Sequence, residues 1–290
     1  MSSSISLPGS LVTPQWLHEN LGGPNLVILD ATVPYASNGP SGELGLERWR
    51  EAHIPGSRYA ALQSALSDPA SPFGFTYPGN EAFAEAMEAI GVGDDTVVVI
   101  YDDFLNMWAT RIWWMLRAIG FERAAVLNGG LRAWRKQGLP LSSDKAPPVR
   151  PATSLTVRPR RSFTDLESVL AWTEKPVRDE LLVCALPESY FTGVEKVGNR
   201  GGHIPGSINL PASSLLDEDG RFLPPEQLGK KLEVLLSAAS ISLYCGGGIS
   251  ATIIAFALSL LGRRDTLVYD GSLEEWNSDA THPLVSGAGA

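Results

Sequence analysis

Cys245 stands in Tyr244-Cys245-Gly246-Gly247-Gly248-Ile249-Ser250-Ala251, between a β-branched apolar run at 241–244 and a helical apolar pattern at 252–261. A thiol at such a strand-to-helix turn lies at the C-terminal edge of a parallel sheet, where α/β sites form. Glycines at 246, 247 and 248 admit backbone conformations closed to other residues, so consecutive N–H groups can turn toward one point and make an anion-binding nest. The N-terminus of the following helix adds the positive end of its dipole. Surroundings of this kind favour thiolate over thiol, and the thiolate is the nucleophile. Cys245 is therefore the candidate nucleophile, and Gly246, Gly247, Gly248, Ile249 and Ser250 the candidate binding loop. Ser250 is the loop's only hydroxyl; it either donates to the bound group or caps the helix, and both readings stand.

Two chemistries use a cysteine at this kind of turn. Phosphatases and arsenate reductases place an arginine six residues after the cysteine, where it grips the oxyanion in a bidentate fork. Here that position is Ala251. A doubly charged phosphate would rest on backbone amides alone, whereas a singly charged persulfide or thiosulfonate fragment requires no more than the nest. Transfer of sulfur is favoured over hydrolysis of phosphate.

The elements that must position the loop come in two copies. His53-Ile54-Pro55-Gly56-Ser57 returns as His203-Ile204-Pro205-Gly206-Ser207, 150 positions later. In the same order, a run ending at Asp30-Ala31 matches one ending at Cys184-Ala185, and Ile100-Tyr101-Asp102 matches Leu243-Tyr244-Cys245. Ala109-Thr110 matches Ala251-Thr252, and Gly129-Gly130-Leu131 with Trp134 matches Gly271-Ser272-Leu273 with Trp276. A length of 290 residues suits two domains of roughly 150 residues each. The duplication divides the chain into residues 1–145 and 162–290. Residues 146–161 form a linker with prolines at 147, 148, 151 and 159 and no apolar period. Short apolar runs at 96–101, 124–127, 241–244 and 266–269 alternate with helical patterns such as 81–90, which predicts an α/β fold around a mainly parallel sheet in each copy.

Composition narrows the function further. A hydrophobic fraction of 44% with 19% charged residues excludes a disordered or fibrous chain. The net charge of −9, unrelieved by any dense basic run, argues against nucleic acid as a partner. No signal peptide or spanning apolar stretch is visible, so the expected location is cytoplasmic, with no membrane partner. Two cysteines supply neither a disulfide framework nor a four-thiolate metal site, and neither a metal nor an organic cofactor is expected.

Taken together, the two His-Ile-Pro-Gly-Ser segments, Arg111-Ile112-Trp113-Trp114 with Leu116-Arg117, Asn128-Gly129-Gly130-Leu131, and the cysteine loop resemble the tandem-domain rhodaneses, the thiosulfate and 3-mercaptopyruvate sulfurtransferases. The resemblance spans residues 11–284. It implies two tandem rhodanese-like domains and a double displacement. Cys245 takes a sulfane sulfur from a small donor, becomes a persulfide, and passes the sulfur to cyanide, a thiol or a sulfur-accepting protein. Thiosulfate is the nominal donor; a 3-mercaptopyruvate enzyme, or a persulfide carrier with little small-donor turnover, are the alternatives. Only the second copy would be catalytic, because Asp102 takes the cysteine's place in the first. There the stretch from Asp102 to Ala109 spans seven positions against six from Cys245 to Ala251, so the first loop is not expected to form the same nest.

The chain departs from the family where donors are held. Second domains usually carry two arginines near the start, and these positions are Leu186 and Ser189 here. Lys196 and Arg200, in the loop leading to His203, are the candidate replacements, Arg200 the better. Gly246 is similar to the mercaptopyruvate branch, but Gly247 stands where that branch carries a serine of its proton relay. Cys184 is either a packed strand thiol or a resolving thiol that would capture the persulfide. His53 and His203, repeated in both copies, are expected to bond structurally rather than move protons. Asn106 and Trp108, in the first copy's longer loop, either cover the donor or, in the case of Trp108, pack on Trp113 or Trp114.

Overall fold

A computed structural model describes residues 4–37, 39–149 and 154–287. The chain forms two compact units, the first from Met1–Ala70, Tyr77–Arg160 and Glu218–Phe222, the second from Ser71–Thr76, Arg161–Asp217 and Leu223–Ala290. Residues 150–153 of the proline-rich segment lie outside the described residues. Its described remainder has no helix or strand before Phe163 and is held by hydrogen bonds within the first unit. Arg58 donates to the carbonyls of Pro147 and Pro148, and the amides of Arg158 and Arg160 donate to Ile119 and Ala118.

In the first unit the strands β1 (Leu11–Val12), β2 (Leu26–Asp30), β3 (Arg58–Tyr59), β4 (Val97–Tyr101) and β5 (Ala124–Leu127) form one sheet, in the order β1-β5-β4-β2-β3. In the second, β6 (Phe163–Thr164), β7 (Glu180–Cys184), β8 (Ile208–Asn209), β9 (Ser240–Tyr244) and β10 (Leu267–Tyr269) repeat that order as β6-β10-β9-β7-β8. Every pairing in both sheets is parallel. A sheet covered on both faces shows near-continuous apolar strands, and all five residues of β4 are buried.

The helix after the central strand is buried on every side in both units. All twelve residues of α1 (Met107–Ala118) are buried, as are Ala251 to Leu258 of α3 (Ala251–Leu260). The shorter α2 (Gly130–Lys136) and α4 (Ser272–Trp276) follow β5 and β10 and plant Leu131 and Trp134, or Leu273 and Trp276, in the two cores. Among the described residues no helix is long and apolar enough to cross a membrane.

The repeated His-Ile-Pro-Gly-Ser turn clamps the end of the central strand. In the second unit the buried Tyr244 hydroxyl accepts the Ile204 N–H at 3.1 Å and lies 2.7 Å from Ser207 Oγ. In the first, Tyr101 does the same with Ile54 at 3.2 Å and Ser57 at 3.0 Å. The histidines brace these turns from behind. His203 Nδ1 bonds the Phe191 carbonyl at 2.7 Å with its ring stacked on Phe191, and His53 Nδ1 bonds the Trp49 carbonyl at 2.6 Å with its ring stacked on Trp49. The turn thus fixes the residue immediately before Cys245.

Candidate active site

The loop from Cys245 to Ser250 is stapled to the first turn of α4. Ser272 Oγ accepts the N–H groups of Cys245 and Gly248, both at 3.1 Å, and donates to the Tyr269 carbonyl at 2.8 Å. The carbonyls of Cys245 and Gly246 accept the amides of Leu273 and Glu274 at 3.1 and 2.8 Å. Two loop amides thereby face a hydroxyl of the protein rather than a ligand. Among the described residues the amides of Gly246, Gly247, Ile249 and Ser250 donate to no protein acceptor. They precede the N-terminus of the ten-residue α3, whose dipole adds positive potential.

The three glycines have different physical reasons. Only Gly248, at φ 72°, needs the left-handed region that favours glycine, so the expectation that all three supply special backbone geometry is corrected. A β-carbon on Gly246 would meet nothing, and one on Gly247 would come within 2.9 Å of Glu274 Oε2. Ser250 lies at the N-cap of α3 and its side chain makes no capping bond. Cys245 itself is 2% exposed, so its sulfur does not lie on an open surface.

The first unit shows what such a loop does with an anion. Asp102 occupies the place of Cys245, and its carboxylate accepts the amides of Phe104 at 2.8 Å, Asn106 at 3.1 Å, and Trp108 and Ala109 at 2.9 Å each. Leu105 and Asn106 are both left-handed, at φ 58°. The longer loop forms a nest of its own and fills it with its own side chain. Burial pushes the Asp102 carboxyl up to about 7 while the amides pull the other way. The Asp102 carbonyl accepts Leu131 N–H at 2.8 Å, as Cys245 does from Leu273.

The remaining candidates fall elsewhere. The Arg200 guanidinium, on a two-stranded antiparallel hairpin of Lys196–Val197 with Arg200–Gly201, donates to the carbonyls of Asp279 at 2.9 Å and His282 at 2.5 Å. No contact among the described residues brings it to the loop, and Lys196 is exposed on the same hairpin. Leu186 packs on the core of the second unit, and Ser189 donates to Glu195. Cys184 is fully buried in that core. Burial, with the charge of Cys245 adding, pushes its thiol up to about 12. Cys184 pairs with Tyr244 across the sheet and shares its face, so Cys245, one residue on, points to the other face, poor geometry for a disulfide. Asn106 and Trp108 are each 1% exposed, Asn106 Nδ2 donating to the Gly220 carbonyl and the Trp108 ring lying against Tyr35.

Ser272, Glu274 and Tyr244 were not legible as site residues. The one signal was that the aligned copies pair Gly130 with Ser272, so a hydroxyl replaces a left-handed glycine only where the cysteine is present.

A profile for the rhodanese-like domain matches residues 13–137 and again 166–279. The chain is 34% identical to the thiosulfate sulfurtransferase of Bos taurus, over 92% of this chain and 91% of that one. It is 34% identical to the 3-mercaptopyruvate sulfurtransferase of Homo sapiens, over 94% of each. Its fold superposes on the crystal structure of the Escherichia coli 3-mercaptopyruvate sulfotransferase SseA with a TM-score of 0.78 at 28% identity, covering 91% of this chain and 98% of that one.

Proposed function

This chain belongs to the rhodanese-like family and carries its domain twice, and on that premise we propose that it is a sulfurtransferase working through a persulfide on Cys245. A thiolate at Cys245 attacks the sulfane sulfur of a small donor of the thiosulfate or mercaptopyruvate kind. The donor's remainder leaves, and the outer sulfur then passes to cyanide or a thiol. The amides of Gly246, Gly247, Ile249 and Ser250, with the dipole of α3, stabilise the negative charge on the transferred sulfur. The observation that carries this reading is the pairing of the two loops. One copy holds a carboxylate on four amides, and the other presents amides with no protein acceptor beside a cysteine.

Incubation with thiosulfate is expected to add the mass of one sulfur atom to Cys245, and Cys245→Ser is expected to abolish both the adduct and thiocyanate formation from cyanide. An unmodified Cys245 under turnover conditions would sink the assignment. A second reading, a persulfide carrier loaded by a partner protein, is supported by Leu186 and Ser189 standing where substrate arginines are expected and by Arg200 being engaged elsewhere. Negligible rates with both small donors, together with loading from a sulfur-charged protein, would favour it. The net charge of −9 fits small molecules and protein thiols better than nucleic acid, and two free cysteines fit a reducing compartment such as the cytoplasm.

A further inference from the structure

We propose that Glu274 carries the proton of the sulfur transfer and makes this a site for donors whose leaving group departs as a base, with sulfur bonded to carbon or to another thiol, in preference to thiosulfate; the inference rests on the persulfide chemistry proposed above.

Gly247 is empty where a side chain would face the loop, and that volume holds the Glu274 carboxyl, 2.9 Å from the place of the missing β-carbon at Oε2 and 3.2 Å at Oε1. The position of Glu274 is fixed independently, because its own N–H donates to the Gly246 carbonyl at 2.8 Å. α4 therefore lends the loop the functional group that the loop's own sequence lacks. Glu274 is exposed as a residue, and its carboxyl lies beside Gly247 of the loop and accepts a bond from the Gly74 backbone. Partial desolvation of the carboxyl raises its pKa from the ordinary glutamate value, against the pull of the Gly74 bond. Of the titratable groups on the elements around it, Cys245 stands two residues from Gly247 in the loop, and Glu275 of its own helix is turned against Gly271. Residues 71–76 contribute none.

The two donor classes differ in what the leaving group requires. Thiosulfate releases sulfite as a stable dianion and needs no proton, so a proton donor gains it nothing, and whenever Glu274 is ionised its charge opposes the dianion's approach. With 3-mercaptopyruvate, the Cys245 thiolate attacks the thiol sulfur and the C–S bond breaks with its electron pair on carbon. The pyruvate enolate so formed takes the proton of Glu274. Cys245 is left as the persulfide and Glu274 as a carboxylate. Cyanide then attacks the outer sulfur and the S–S bond breaks, restoring the thiolate. The proton on that sulfur goes to Glu274, and thiocyanate leaves with both groups reset. A positioned proton donor is worth roughly 10²-fold or more in such a step.

The test uses the full-length protein with cyanide as acceptor and each donor in turn. Glu274→Gln is expected to lower kcat with 3-mercaptopyruvate about 100-fold, to raise kcat/KM with thiosulfate severalfold, and to remove the decline of the mercaptopyruvate rate as pH rises through the Glu274 titration. Glu274→Asp should restore part of that pH dependence. Gly247→Ala leaves Glu274 in the chain but pushes its carboxyl off the loop, and it should shift the donor ratio in the same direction. Equal losses with both donors, or no change in ratio or pH profile, would overturn the proposal. Absence of sulfur on Cys245 in the parent protein would instead remove the persulfide reading beneath it.

Discussion

Ser272 holds a left-handed backbone at φ 48° although it is not glycine, while its counterpart in the first unit is Gly130 at φ 54°. Such a conformation costs a non-glycine residue roughly 1–2 kcal/mol. The fold tolerates it because the hydroxyl serves two amides of the cysteine loop and closes on Tyr269. Ser272→Ala keeps the strain and removes the hydroxyl acceptor of two buried amides, so stability should fall by about 2–3 kcal/mol and sulfur loading of Cys245 should slow. Ser272→Gly relieves the strain without restoring the hydroxyl. Its melting temperature should recover part of the loss while its loading rate stays with that of Ser272→Ala; recovery of both together would show that the hydroxyl does not shape the loop. Cys245 and its glycines were legible because their chemistry is contiguous along the chain. Ser272 was not, because it lies 27 positions further on and meets the loop only once β9 and β10 are side by side.

The clamp on the central strand belongs to the scale of elements, and it gives the repeated pentapeptide its reason. Tyr244 must be held for Cys245 to leave β9 at a fixed height, and Ser207 and Ile204 hold it from the turn before β8. Ser207→Ala leaves the buried phenol with one partner fewer and should cost about 1–3 kcal/mol. The matched Ser57→Ala should cost a similar amount. The two differ in a second readout: Ser207→Ala slows sulfur loading through the displaced strand end, and Ser57→Ala does not. Equal effects of both on loading would argue that the clamp only stabilises. Both strand runs and pentapeptides were legible in the sequence, since an apolar β-branched run and a Pro-Gly turn are local signals. The partner of each turn was not, because Tyr244 reads from the sequence as one more buried strand residue. Arg200 illustrates the opposite error. A loop arginine near a cysteine loop suggests an anion grip, but the carbonyls of Asp279 and His282, some eighty positions later in the chain, take it first.

At the scale of the whole molecule, one architecture appears twice with the anion site resolved in two ways, and the difference has a signature in pH. The duplication and parallel α/β order were legible because five landmarks recur in sequence. The assignment of Ser71–Thr76 to the second unit and Glu218–Phe222 to the first was not, because no local pattern marks a segment that packs with the other half of the chain. Asp102 fills its own nest, and burial lifts its carboxyl to about 7 in the folded state against 3.8 ordinarily. Between those values the folded chain binds the proton that the unfolded chain has released, so stability must fall as pH rises from about 4 to about 7 and level off above. A tenfold change in proton affinity corresponds to about 1.4 kcal/mol, so the full swing is on the order of 4 kcal/mol. Asp30, raised to about 6 by burial, adds a smaller swing of the same sign. Asp102→Asn isolates the contribution of this one carboxyl, since it removes one titration and keeps the rest. Denaturant midpoints measured from pH 4.5 to 8 should decline more steeply for the parent protein than for the variant. Parallel curves would mean that the four amides cancel the burial effect and that the carboxylate stays charged throughout. The first unit would then hold an anion permanently, as the second is proposed to do only while sulfur is in transit.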